Sequence, residues 1–366
     1  MPKSKKLSTK VKTDAGKAVA ITAPATLLRE LRTLITEARQ RVARSVDSAL
    51  VMLYWEIGHR IRTHILKEKR ADYGKQSFYT LSGKLTVEFG VGFGRTNLFN
   101  MARFAEVFPD REIVHALCGQ LGWSHFRQII YLKEPLQRDF YAEMCRVESW
   151  STRTLAAKIQ GMLFERTAIS RKPALLAKQE LKQLREEDRL TPDLTFRDPY
   201  LLDFLGLKDT YSERDLETAI LRELQRFLVE LGTDFAFIAR QKRIVIADKD
   251  HYIDLLFFHR RLRRLVVIDL KLGAFQPADK GQMELYLRWL AKHEQQPHEE
   301  EPIGLILCAE KAAEYIELLE LEKTGIRVAE YLTELPPPKV LKRKLHDAVR
   351  LAGESLKKTP ESDPVQ

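Results

Sequence analysis

Two almost uninterrupted apolar runs, each broken by one carboxylate, constrain this chain more than any other feature. The first is Ile253-Asp254-Leu255-Leu256-Phe257-Phe258 and the second is Leu265-Val266-Val267-Ile268-Asp269-Leu270. They are joined by Arg260-Arg261-Leu262-Arg263-Arg264. β-branched and aromatic runs with so short a connection predict a hairpin over 252–259 and 265–270. A carboxylate inside an apolar strand is costly to bury and needs a cation, a hydrogen-bond network or a proton. Two of them in neighbouring strands repel unless a metal lies between. Strand alternation adds a third group: Asp269 and Lys271 face one side while Leu270 faces the other. Hard oxygen ligands of this kind suit Mg²⁺ or Mn²⁺ rather than zinc. An ion held there would polarise a phosphoryl oxygen and lower the pKa of bound water. Lys271 would orient or deprotonate that water, or neutralise charge on the phosphate.

The hairpin sits in a second half that reads differently from the first. Apolar residues recur at helical spacing from Leu27 to about residue 68, with Leu28, Leu31, Leu34 and Ile35, then Val46, Leu50, Leu53, Tyr54, Ile57 and Ile61. A glycine-punctuated turn, Phe89-Gly90-Val91-Gly92-Phe93-Gly94, precedes a helix start at Arg95 with Thr96 as a candidate N-cap. Helix, turn, helix has the outline of a DNA-reading motif. The glycines follow a helical pattern rather than a strand, so a dinucleotide fingerprint is excluded. Residues 110–170 read as helical, with Trp123 and Trp150 as core residues, His125 as structural, and Ser124 and Ser151 where helices could begin. Beyond Asp198-Pro199 an amphipathic helix is expected over 211–231. Strands follow at Phe235–Ala239, Lys242–Ile246, Tyr252–His259, Leu265–Leu270 and Ile303–Cys308, with a helix at Lys280–Lys292.

The expected divisions are a disordered basic arm (1–22), a helical domain (23–170), a helical linker (171–195), an α/β domain (196–340), and a basic helix with a polar tail (341–366). Net charge is +10, from 61 Lys and Arg against 51 Asp and Glu. That balance favours a polyanionic partner, although sign alternation along the helices also fits a solvated face. The three cysteines, Cys118, Cys145 and Cys308, form no CxxC pair, which argues against a zinc knuckle and fits a reducing cytoplasm. No apolar stretch is long enough to span a membrane.

Asp254 followed by Asp269-Leu270-Lys271 resembles the PD-(D/E)xK nuclease superfamily. The resemblance implies a metal-ligating glutamate on the preceding helix, for which Glu217 is preferred over Glu223. Gln282 and Tyr286 match the QxxxY helix of its RecB-like branch, and residues four apart share a helix face. Further similarity, to the YhcG family, lies in Gln241 of Ala239-Arg240-Gln241, in Tyr252–Phe258, in Ile303–Cys308, and in Tyr54-Trp55-Glu56-Ile57-Gly58, Leu81-Ser82 and Gly92-Phe93. It covers roughly residues 27–335. It implies an α+β two-domain chain, all-α first and then a restriction-endonuclease-like α/β domain with a mixed central sheet. The implied activity is metal-dependent hydrolysis of nucleic acid, with DNA the expected form. Asp254, Asp269, Glu217 and Lys271 would be catalytic, Gln282 and Tyr286 would contact nucleic acid or support the lysine, and Gln241 would either touch nucleic acid or simply pair with backbone at a strand end. Arg260 and Arg261 are open to two readings, a phosphate grip or a solvated hairpin tip. An inactive binding module on the same fold is the rival reading, and the N-terminal helices are a candidate surface for a protein partner or a second copy. Two departures stand out: Ile253 occupies the proline position, and the triplet carries Asp rather than Glu.

Overall fold

The computed structural model describes residues 46–63, 71–207, 211–333, 336–337 and 339–347. The basic arm, the apolar-spaced residues 27–45 and the polar tail fall outside the described residues. The first half is helical. Residues 46–61 form α1. It is followed by α2 (Ala71–Phe89), α3 (Arg95–Val107), α4 (Arg111–Cys118), α5 (Trp123–Ile129), α6 (Pro135–Glu148), α7 (Thr152–Gln160) and α8 (Leu163–Arg166). Local chemistry sets several starts: Asp110 accepts from Glu112 N at 2.9 Å to cap α4, and Ser151 accepts from Thr154 N at 3.1 Å to cap α7. Thr96 instead lies inside α3, whose cap is Gly94, and Ser124 lies inside α5, capped by Gly122. A Cβ at Gly58 would meet the Met101 carbonyl oxygen at 1.9 Å, so α1 crosses α3 backbone to backbone.

Residues 174–187, in the stretch expected as a linker, form α9 (Ala174–Glu187). This helix buries Ala177, Leu181 and Leu184 in the helical core with Phe140, Tyr141 and Trp150. Arg185 of α9 also pairs with the fully buried Glu143 of α6. A short α10 (Pro192–Thr195) leads into the second half.

There α11 (Glu213–Arg222) and α12 (Leu224–Leu231) replace the single expected helix. The break falls at Glu223, whose φ of −104° and ψ of 28° leave the helical region. The sheet has six strands in the order β1-β6-β5-β4-β3-β2. These are β1 (Tyr200–Leu201), β2 (Phe235–Ile246), β3 (Lys249–His259), β4 (Arg264–Leu270), β5 (Ile303–Cys308) and β6 (Ile326–Leu332). β2, β3 and β4 run antiparallel, while β4, β5, β6 and β1 are parallel, so the sheet is mixed. The β4-to-β5 crossover carries α13 (Pro277–His293). One face packs Leu255, Phe257, Val266, Ile268, Leu305 and Leu307 under α11 and α12; the other packs Ile253, Leu256, Val267 and Ile306 under α13. Burial on both faces explains why β4 and β5 read as unbroken apolar runs. Among the described residues no helix is long and apolar enough to cross a membrane.

The two halves meet at several points along this sheet. Lys158 Nζ donates to Val229 O at 3.0 Å, and Arg166 pairs with Glu230. Arg261, at the β3–β4 turn, donates to Val147 O at 3.2 Å. The opposite end of β3 and β4, where Asp254 and Asp269 lie, is left clear of these contacts.

Candidate active site

The serine-led turn Ser212–Asp215 starts α11. Ser212 Oγ accepts from Asp215 N at 3.2 Å while Asp215 Oδ2 accepts from Ser212 N at 2.8 Å. This orientation turns Leu216 and Ile220 into the core and carries buried Glu217 toward the sheet edge. Glu223, the competing candidate, instead faces Arg222 and Arg226 outside the cavity.

On the sheet, β2 carries an extra residue between Phe237 and Ala239, and Gln241 holds a φ of +43°. A left-handed conformation at a non-glycine strand residue costs energy and points to a local purpose. Here the amide of Gln241 donates to Glu217 Oε2 at 2.6 Å and to Asp254 Oδ1 at 3.0 Å. One nitrogen therefore spans two carboxylates from different elements. The other oxygen of Asp254 accepts from Leu270 N at 2.9 Å. That bond continues the β3–β4 ladder beyond its last backbone pair, Leu255 with Ile268. Asp269 is buried, and its Oδ2 meets Lys271 Nζ at 3.0 Å. Burial pushes the Asp269 carboxyl up to about 7; Lys271 opposes the rise and Asp254 adds to it. Lys271 is itself held above the usual lysine range: burial works against this, and Asp269 outweighs burial.

A cavity of about 440 Å³ opens over Glu217, Gln241 and Asp254, lined also by Glu213, Arg214, Arg240 and Leu270; Asp269 and Lys271 are not among its lining residues. Arg214 and Arg240 are the cationic side chains that sequence reasoning missed. No motif marks them, and only the turn of α11 and the bulge in β2 bring them here. Arg240 Nε lies 3.1 Å from Glu217 Oε1, an ion-pair contact without hydrogen-bond alignment, so that buried oxygen has no hydrogen-bond donor.

The expected nucleic-acid contacts are distributed differently. Gln282 Nε2 donates to Tyr286 Oη at 2.8 Å, and Tyr286 Oη donates to Tyr252 O at 3.2 Å. Tyr286 is buried, so this pair braces α13 against β3 two residues from Asp254. Arg260 and Arg261 are not brought to the site. They sit at the hairpin tip, roughly 20 Å along the chain direction of β3 from Asp254, and Arg261 is bonded to Val147 O, Asp234 and Asp188. Neither the phosphate grip nor the solvated tip describes Arg261, which is a tie between the halves.

Among the described residues no three His, Cys, Asp or Glu side chains form a ready metal cluster. By chemistry, the carboxylates of Asp254 and Asp269 are the residues that would hold a hard divalent cation, with water filling the rest of its shell. Glu217 Oε1 keeps its ion-pair contact with Arg240 but has no hydrogen-bond donor, and burial raises the Asp269 carboxyl to about 7 despite Lys271, so both acids have room for a further cationic ligand.

A mixed sheet with acids and a lysine on two neighbouring strands, reached by a helix-borne glutamate, defines a PD-(D/E)xK nuclease domain. Residues 193–346 match the YhcG PDDEXK nuclease domain, and residues 30–166 match the DUF1016 N-terminal domain. The chain is 36% identical over 340 residues to "Putative nuclease YhcG" of Escherichia coli (strain K12), covering 84% of this chain and 90% of that protein. It belongs to the YhcG family. Two solved structures also share part of the chain. A repair endonuclease from Pyrococcus abyssi is 21% identical with a TM-score of 0.24, over 36% of this chain and 50% of that one. The EndoMS–dsDNA2 complex is 17% identical with a TM-score of 0.26, over 36% and 49%. The match thus spans about half the length of each.

Proposed function

We propose that this nuclease hydrolyses phosphodiester bonds in DNA with a divalent cation, Mg²⁺ or Mn²⁺, held by Asp254 and Asp269 and assisted by Glu217. The observation that carries the reading is the meeting of Glu217, Gln241 and Asp254 through one amide, beside the Asp269–Lys271 pair. The cation would polarise a phosphoryl oxygen and acidify a bound water. Lys271 Nζ, already ion-paired with Asp269, would orient that water and offset charge on the phosphate. Arg214 and Arg240, lining the cavity, would draw the phosphate backbone in. The three free cysteines are buried, in keeping with work in the cytoplasm.

The test is cleavage of circular and linear DNA by the full chain. Cutting is expected with Mg²⁺ and not with EDTA, and Lys271→Ala should lower the rate by at least about a hundredfold. Undiminished cutting by Lys271→Ala, or salt-sensitive binding with no cutting under any metal, would overturn the reading; the second result would leave a binding module. Gln241→Ala should reduce the rate about ten- to a hundredfold by freeing two carboxylates it holds. Single-turnover kinetics should place that loss in the cutting step rather than in DNA affinity.

A further inference from the structure

Beyond the site, β2 and β3 continue as a two-stranded ribbon. β4 pairs with β3 only over Leu255–His259, whereas β2 pairs with β3 out to Ile246 and Lys249. One face of the ribbon is covered: Ile244 and Ile253 are buried with Tyr286 under α13, and Lys242 pairs with Glu294 at 2.7 Å. The opposite face is open and runs outward from Asp254. Next along it is the cross-strand pair Arg243 and Tyr252. Tyr252 is 48% exposed and the Arg243 side chain 61%.

This pair is held in place although it is open. The Tyr252 carbonyl accepts from Tyr286 Oη, which pins the base of the ring to α13. Asp250 Oδ1 lies 2.8 Å from Arg243 Nη2 and keeps the guanidinium on the ribbon face. Directly opposed residues stand about 5 Å apart at their Cβ atoms, so the two side chains leave the ribbon side by side. Tyr252 is also only about 6.6 Å along the strand from Asp254. Arg240, half exposed, continues the positive charge toward the cavity.

We propose that Tyr252 and Arg243 form a nucleobase-stacking platform, and that the strand held beside Asp254 is unpaired. Inside a duplex both faces of every base are already covered, so a side chain stacks only on an unpaired or terminal base. An exposed ring fixed at its backbone, flanked by a cation and continuous with a phosphodiester-cutting edge, has the chemistry of a single-strand platform. A ribbon is also narrow enough to enter a major groove, and that duplex mode is the competing outcome of the test. The inference rests on the proposed nuclease reading only for the position of the platform beside the cut.

Binding separates the two. The full chain carrying Lys271→Ala, in EDTA, is titrated by fluorescence anisotropy with labelled oligothymidylate and with a blunt duplex of equal length. Adding Tyr252→Ala should weaken oligothymidylate binding about tenfold and duplex binding less than about twofold, and Tyr252→Phe should restore it. Equal losses on both probes, or no loss on oligothymidylate, would overturn the platform. Failure of the nuclease reading shows elsewhere, as absence of cutting by the unmutated chain, and would leave a Tyr252-dependent single-strand preference standing.

Discussion

Arg166→Ala is expected to destabilise the chain by about 3–5 kcal/mol. Arg166 is 2% exposed and sits in α8, yet its partners belong to both halves. Its guanidinium pairs with Glu230 of α12, and it donates to Gly161 O at 2.9 Å and Pro199 O at 3.0 Å. Glu230 also accepts from Leu201 N at 3.0 Å. Arg197 approaches Glu230 at 3.4 Å without a hydrogen bond, so it cannot take over the role. Burial pushes the Glu230 carboxyl up, but Arg166 and Arg197 outweigh it and hold it below the usual range. A depressed carboxylate contributes stability above its unfolded pKa and loses it as pH falls through the folded value. The alanine variant should therefore lose most at neutral pH and least in acid. Urea midpoints across pH measure this, and a shift no larger than about 0.5 kcal/mol, typical of a surface site, would refute it. Arg166→Met with Glu230→Leu should recover most of the loss, because removing both charges leaves none stranded.

What could be read from the chain beforehand follows from how local each signal is. The hairpin acids were legible because a carboxylate in an apolar strand is expensive wherever the strand lies. The helix after β4 was legible from its periodicity, expected over Lys280–Lys292 and observed over Pro277–His293. Other features depend on partners far away in sequence. β2 reads as two strands because Arg240 and Gln241 interrupt its apolar pattern, yet the strand continues, and the positive φ at Gln241 aims its amide at Glu217 and Asp254. β6 is polar at Arg327 and Glu330 and shows itself only once β5 and β1 are beside it. Arg261 looks identical in sequence to its neighbour Arg260, and only the fold supplies Asp188, Asp234 and Val147 as its partners.

Asp269→Asn is expected to remove cutting and to stabilise the metal-free fold. Asp269 is 4% exposed, and burial raises its carboxyl to about 7 against 3.8 for an ordinary aspartate, with Lys271 opposing and Asp254 reinforcing the rise. Between those values the folded chain keeps a proton that the unfolded chain has released. Stability must therefore fall as pH rises through that window, by up to about 4 kcal/mol once the carboxyl ionises. Lys271 acts in a different window: its raised value contributes stability that is complete below 10.5 and is lost only as pH climbs through the folded value. Asparagine keeps an acceptor for Lys271 and carries no charge to bury, so the variant should lack the downward slope. Urea midpoints in EDTA at about pH 5 and pH 8 measure the difference, and an equal slope in both proteins would refute it. Mg²⁺ should raise the midpoint of the unmutated chain at the higher pH and leave the variant nearly unchanged, since a cation binding only the folded state adds stability in proportion to its occupancy. Cutting should fall at least about a hundredfold in the same variant. Loss of activity alongside a gain in stability would tie both to the charge of one side chain, because damage to the fold would lower the two together.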